Sequence, residues 1–167
     1  MNPHAVVAAV GCYAQSKGEE LQQDATIDLI IGNNKKKDLL MILKEYEAGM
    51  EQHLHKVEIG QVSEYEELKI DQMKEHTRAF IKVQDGCNQF CTYCIIPYVR
   101  GRERSRKIED VRAEVRWLAA SGCREVVLSG IHLSSYGIDL DQGEKLLSLI
   151  RAVHDIEGIE RIRLGSL

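Results

Sequence analysis

Three cysteines fall within eight residues, Cys87, Cys91 and Cys94, in the stretch Gln84-Asp85-Gly86-Cys87-Asn88-Gln89-Phe90-Cys91-Thr92-Tyr93-Cys94-Ile95-Ile96-Pro97. Side chains this close on one short loop cannot all point into a core. They suit a loop that wraps around something and offers it three thiolates. Thiolates are soft ligands that select iron–sulfur clusters, zinc or copper(I). A structural zinc site takes four protein ligands, and ordinary electron-transfer clusters take four cysteines. The local set stops at three, which leaves one coordination position open to bind and activate a ligand. The alternatives are a zinc knuckle completed by a distant His76 or His132, or a cluster completed by Cys123.

Composition sets the frame. The chain has 167 residues, 44% of them apolar and 29% charged, which suits a globular fold with a sizeable core. No apolar run approaches the ~20 residues that span a bilayer, and no basic-then-apolar leader opens the chain. Neither feature points to a membrane or to secretion. Five cysteines, an odd number with three clustered, argue against a disulfide framework and fit a reducing cytosol. Residues 1–75 carry 8 Lys and no Arg against 14 acids, whereas residues 76–167 carry 14 Lys and Arg against 12 acids. A break of this kind suggests two units with different partners.

The first half reads as β-α-β-α. Ala5–Val10 is a continuous apolar run, expected to be a strand buried on both faces of a parallel sheet. Gly11 breaks it and puts Cys12 at the strand's C-terminal end, where open α/β sheets bind ligands. A helix-prone stretch covers residues 16–23, and Leu29–Gly32 reads as a second strand. Asn33 or Asn34 is a candidate cap for a helix bearing Leu39, Leu40, Ile42, Leu43 and Tyr46. Residues 51–75 read as a solvated connector with one edge strand at 56–62.

The second half repeats strand and helix: a strand over 79–84, a helix with Ile108, Val111, Val115, Leu118 and Ala119 on one face and a stop at Gly122, and a strand over 125–128. A helix with Leu146, Leu147, Ile150 and Val153 and a strand over 159–164 follow. Such repetition builds a βα barrel with its chemistry at the C-terminal ends of the strands, where the cysteine loop and Ser129-Gly130 both fall. About two and a half βα units are present, against about eight in a closed barrel.

The cysteine pattern, with Tyr93 directly before the last cysteine, resembles the radical S-adenosylmethionine (SAM) enzymes. Three further stretches narrow the likeness to the methylthiotransferases: Gly11-Cys12-Tyr13-Ala14-Gln15, the run CNQFCTYCIIPYVRGRERSR from Cys87 to Arg106, and Leu128 to Gly137. The arginine run and the loop ending in Tyr136-Gly137 resemble best those acting on threonylcarbamoyladenosine in tRNA. Related enzymes act on isopentenyladenosine in tRNA or on an aspartate of a ribosomal protein.

The resemblance implies an α/β fold, in which the C-terminal part of an open parallel-sheet domain (1–62) and a linker (63–77) precede the first half of a radical SAM βα barrel (78–167). It implies that Cys87, Cys91 and Cys94 hold a [4Fe-4S] cluster whose open iron binds SAM, with Tyr93 near the adenine and Ser129 and Gly130 contacting SAM. Cys12 would ligate a second [4Fe-4S] cluster, whose other two cysteines are expected upstream of this chain. The remainder of the barrel and an RNA-binding domain are expected beyond Leu167. The implied partners are tRNA, SAM, an electron donor and a sulfur source. Arg100, Arg102, Arg104 and Arg106, following the cluster loop, are candidates to meet the SAM carboxylate or tRNA phosphates. Cys123 reads as a small buried thiol, and Tyr136 as either a packing residue or a base-stacking one.

Overall fold

The computed structural model describes residues 2, 4–50, 53–66, 77–140 and 143–167. They divide into two compact units. One takes in the described residues up to 62 with residue 66 and 89–101, and the other takes in 63–65, 77–88 and the described residues from 102 onward. Among the described residues no helix is long and apolar enough to cross a membrane.

The first unit is built on a parallel sheet of three short strands, β1 (Ala8–Val10), β2 (Leu29–Ile31) and β3 (Leu54–His55), in the order β1-β2-β3. β2 is central, and Leu29, Ile30 and Ile31 are wholly buried. Leu29 and Ile31 pack with Ile42 of α2 (Leu39–Glu47), against which Leu39, Leu43 and Tyr46 also lie. α1 (Cys12–Leu21) starts one residue beyond β1.

Four expectations change here. β1 is shorter than its apolar run and exposed, with Val6, Val7 and Val10 each 40–48% accessible. It is an edge strand, so continuous apolar sequence did not mean burial on both faces. α1 begins at Cys12 instead of residue 16. Neither Asn33 nor Asn34 caps α2; a 3-10 turn at Lys36–Asp38 leads into it, and Asn33 is buried with its Nδ2 donating to the Val99 carbonyl at 2.6 Å. The edge strand of the connector lies at Leu54–His55 instead of 56–62, because Ile30 and Gly32 donate their N–H groups to the His53 and His55 carbonyls at 2.8 Å each.

The second unit is a parallel βα array. β4 (Arg78–Lys82), β7 (Glu125–Ser129) and β8 (Arg161–Leu164) form a sheet in the order β4-β7-β8, with α4 (Ile108–Ala120) leading into β7 and α5 (Leu146–His154) into β8. The numbers between belong to a short antiparallel pair, β5 (Gln84–Asp85) and β6 (Arg104–Ser105), and to α3 (Ile96–Val99) of the first unit.

Side-chain alternation along the strands sorts the sheet into two faces. Ala79, Ile81, Val126 and Leu128 join Val111, Val115 and Leu118 of α4 and Leu149 and Val153 of α5 in one core. Gly122, with φ +93°, ends α4 as its sequence position suggests. On α5 the buried pair is Leu149 and Val153, and Leu147 faces out. Cys123 is buried in this core, its Sγ donating to the Glu125 carbonyl at 3.2 Å.

The opposite face of the sheet is polar at its ends. In register, Arg78, Glu125 and Arg161 line up, then Phe80, Val127 and Arg163, then Lys82 and Ser129 toward the C-terminal ends. Glu125 receives hydrogen bonds from Arg161 Nη1 at 2.9 Å and Arg163 Nε at 2.6 Å, and Arg78 Nε stands 2.5 Å away. Burial raises the Glu125 carboxyl, but the hydrogen bonds from Arg161, Arg163 and Arg78 and the charge of Arg163 outweigh it and hold it at about 2.

Two outcomes follow. Leu128, fully buried on the central strand, is expected to cost about 2–5 kcal/mol when changed to Ala. Urea unfolding followed by the fluorescence of the single tryptophan, Trp117 on α4, measures it. Glu125 titrates lower folded than unfolded, so its contribution is complete above about 4.5 and fades as pH falls from about 4.5 to about 2. Glu125→Gln is expected to flatten that stretch of the stability–pH curve.

Candidate functional site

The cysteine loop is an excursion between the two strands of a clamp. Gln84 pairs with Ser105 and Asp85 with Arg104, so β5 and β6 close residues 86–103 at their base. The clamp is tied to the sheet, because Val83 donates to the Ser129 carbonyl at 2.8 Å and Arg106 to the Val83 carbonyl at 2.9 Å. Asp85 holds the turn out of the clamp: its Oδ1 accepts from the Gly86 N–H at 3.0 Å, and its Oδ2 lies 2.6 Å from Lys82 Nζ and 3.6 Å from Arg104 Nη2. Ser105 is fixed from the other side, its N–H and Oγ donating to the Asp139 carboxylate at 2.7 and 2.6 Å.

Two residues with positive φ, Gly86 (72°) and Phe90 (47°), turn the chain through the cysteines. The Cys94 N–H donates to the Cys91 carbonyl at 2.9 Å, and α3 follows with Pro97 in its first turn. Cys87 lies in the second unit, and Cys91 and Cys94 in the first. All three are free thiols; Cys91 is exposed, and Cys87 and Cys94 are half-buried. Among the described residues no three His, Cys, Asp or Glu side chains are gathered as a bound metal ion would gather them. In donor chemistry the loop still fits an iron–sulfur cluster: three reachable, unpaired thiols on one turning segment.

Of the possible fourth ligands, Cys123 is committed to the core, and the His132 ring nitrogen Nδ1 meets Ser135 Oγ at 2.5 Å. His76 lies outside the described residues. Tyr93 stands almost fully in solvent at 92% exposure, whereas Ser129 and Gly130 are half-buried at the end of β7. Tyr136 is buried, with its hydroxyl donating to the Arg106 carbonyl at 2.5 Å, so packing is its role in this structure.

Cys12 is the first residue of α1. Within the first unit Arg100 Nε donates to its sulfur at 3.1 Å and Asn33 Nδ2 at 3.5 Å. Burial raises the thiol, but the hydrogen bonds from Asn33 and Arg100 and the charges of Arg100 and Lys36 outweigh it and bring it below the ordinary thiol value. A sulfur so surrounded favours the thiolate, the form that ligates metal.

The arginine run divides. Arg102 is exposed, and Arg100 is the partner of Cys12. Arg104 has a side chain only 2% exposed beside Asp85. Arg106 pairs with Glu114 at 2.6 Å and lies 5.8 Å from the Tyr65 ring centre. Between them Glu103 is buried; burial and the charge of Asp139 push its carboxyl up, against a hydrogen bond from Ser135 and the charge of His132.

Sequence reasoning did not single out Gln84, Asp85, Ser105 or Asp139. The one available signal was a polar Gln84 closing an apolar strand run.

Comparison with known proteins agrees with the motif reading. The threonylcarbamoyladenosine tRNA methylthiotransferase of Aquifex aeolicus (strain VF5) is 45% identical over 169 residues, covering 99% of this chain and 40% of that protein. The enzyme of the same name from Bacillus subtilis (strain 168) is 36% identical over 168 residues, 99% of this chain and 37% of that protein. A tRNA-2-methylthio-N(6)-dimethylallyladenosine synthase from Clostridium botulinum (strain Hall) is 38% identical over 165 residues, 97% of this chain and 36% of that protein. The chain therefore spans about two fifths of the length of these relatives. Residues 81–166, from β4 to the end of β8 and including all three loop cysteines, match the profile of the radical SAM superfamily, and the chain belongs to that family.

Proposed function

We propose that this chain is part of a cytosolic radical SAM tRNA methylthiotransferase that converts threonylcarbamoyladenosine in the tRNA anticodon loop to its 2-methylthio derivative. The observation that carries the reading is the set of three free thiols on one clamped loop, in a radical SAM chain 45% identical to an enzyme named for that nucleoside. Cys87, Cys91 and Cys94 would hold a [4Fe-4S] cluster that binds SAM, and Cys12 would be one ligand of a second cluster. When bound, the loop cluster and SAM would supply the one-electron chemistry that removes a hydrogen from the adenine ring, and the second cluster would supply or carry the sulfur, with an electron donor and a methyl group from a second SAM completing the exchange.

The chain's own residues orient. The β5–β6 clamp fixes where the loop leaves and rejoins the second unit, and Asp85 orders its first turn through the Gly86 N–H. Ser129 and Gly130, at the C-terminal end of β7, offer hydroxyl and backbone groups to SAM, and Tyr93 offers a ring to its adenine. Arg100 and Asn33 donate to the Cys12 sulfur and favour its thiolate. Arg102 presents an exposed cation for RNA phosphates.

The 38% likeness to an enzyme named for dimethylallyladenosine supports a second reading with that nucleoside as substrate. Mass spectrometry of nucleosides separates them. In a strain lacking the gene, loss of 2-methylthio-threonylcarbamoyladenosine is the expected result, and loss of only the dimethylallyl counterpart favours the second reading.

The arginines separate by burial. Arg102→Ala in the full-length enzyme is expected to weaken tRNA binding and reduce the salt slope by about one unit. Arg104→Ala is expected to act first on folding, lowering the melting temperature, because it removes one side of a buried ion pair with Asp85. Filter binding across a salt series, alongside thermal melts, measures both.

A further inference from the structure

Gln84 is wholly buried at the start of β5 and uses both ends of its amide. Its Nε2 donates to the Gly86 carbonyl at 2.8 Å and to the Asp85 carbonyl at 3.2 Å. Its Oε1 accepts from the N–H groups of Ile131 and His132 at 2.9 Å each. One end therefore holds the carbonyl directly before Cys87, and the other holds the two N–H groups of the turn leaving β7. Donor and acceptor capacity match these four backbone groups. A buried amide is tolerated in an otherwise apolar strand when its hydrogen bonds are made, and Ala79, Ile81 and Val83 just before it are core residues.

Gly130 completes the fit. A Cβ at that position would stand 2.8 Å from Gln84 Oε1, 3.0 Å from Gln84 Cβ and 3.1 Å from the Gln84 carbonyl oxygen. The last of these is a backbone atom of a strand residue and has less room to give than a side chain. A side chain at residue 130 would therefore push the amide off its partners.

We propose that Gln84 is a positioning residue for SAM: within the second unit it fixes Gly86, the residue directly before Cys87, against the Ser129–Gly130 strand end. Gly130 serves the same end by leaving room for the amide. This rests on the reading that SAM is held by the cysteine loop and that strand end. Gln84 touches neither the cluster nor the reacting atoms, and it acts through Gly86, Ile131 and His132.

The test uses the anaerobically prepared, cluster-loaded protein with Gln84→Leu, Gly130→Ala and the double variant. Iron is counted per chain, and SAM binding is measured by equilibrium dialysis, without turnover. The expected result is unchanged iron and SAM affinity weakened about tenfold or more in each single variant, the scale of a sub-ångström misplacement. The double variant should be no weaker than the weaker single, because both changes break one contact. Unchanged SAM affinity in a folded variant, losses that multiply in the double variant, or iron lost in step with SAM overturns the inference. Should Gln84→Leu fail to fold, Gln84→Met, which keeps the length of the side chain and removes the amide, takes its place, because Gly130 itself faces SAM in the proposed seat. A parent protein that holds iron but binds no SAM removes the functional reading and this inference together. A parent that binds SAM while both variants match it removes this inference only.

Discussion

The short antiparallel pairing of Gln84-Asp85 with Arg104-Ser105 is the constraint on which the rest depends. A loop carrying three thiols has no core of its own, and ordering such a segment costs conformational entropy. Closing residues 86–103 at their base limits that cost. Asp85 accepting from Gly86, Ser105 bound to Asp139 and Asn88 Oδ1 accepting from the Glu103 N–H at 3.3 Å hold the two ends of the excursion. The clamp sits where β4 ends, and Val83 ties it to the end of β7. The root of the chemistry-bearing segment is thus tied to the sheet of the second unit, at the strand ends where βα folds place their sites.

The same region shows why charge in a sequence is a poor guide to exposure. Arg100, Arg102, Arg104 and Arg106 read alike in the chain, yet one faces solvent, one meets a cysteine and two are buried with carboxylate partners. The partners that decide this, Asp85 and Glu114 among them, lie 8 residues or more away and follow no short-range pattern. Buried guanidinium groups need that compensation. They fix the β5–β6 clamp and α4, which is a structural task distinct from meeting an anionic ligand.

Much of the fold was legible because it rests on local periodicity. The apolar face of α4, the stop at Gly122 and the parallel strands at 78–82, 125–129 and 161–164 all follow from spacing. The cysteine spacing was legible as three thiols offered by one loop, and the structure has them there as free thiols. What stayed hidden depends on long-range pairing. The run at Ala5–Val10 looked buried but lies at a sheet edge, and the connector strand fell at Leu54–His55 because β2 selected its partner there. Gln84 carried no signal beyond being polar at the end of an apolar run, since its four partners are set by the fold.

The central claim is that the loop thiols hold an iron–sulfur cluster with one iron left for SAM. Anaerobic reconstitution followed by electron paramagnetic resonance of the reduced protein tests it most directly. The account predicts four irons in the cluster bound by Cys87, Cys91 and Cys94, with a spectrum that shifts when SAM is added and is lost in Cys91→Ser. Colourless protein holding stoichiometric zinc, or a cluster whose spectrum ignores SAM, would contradict it.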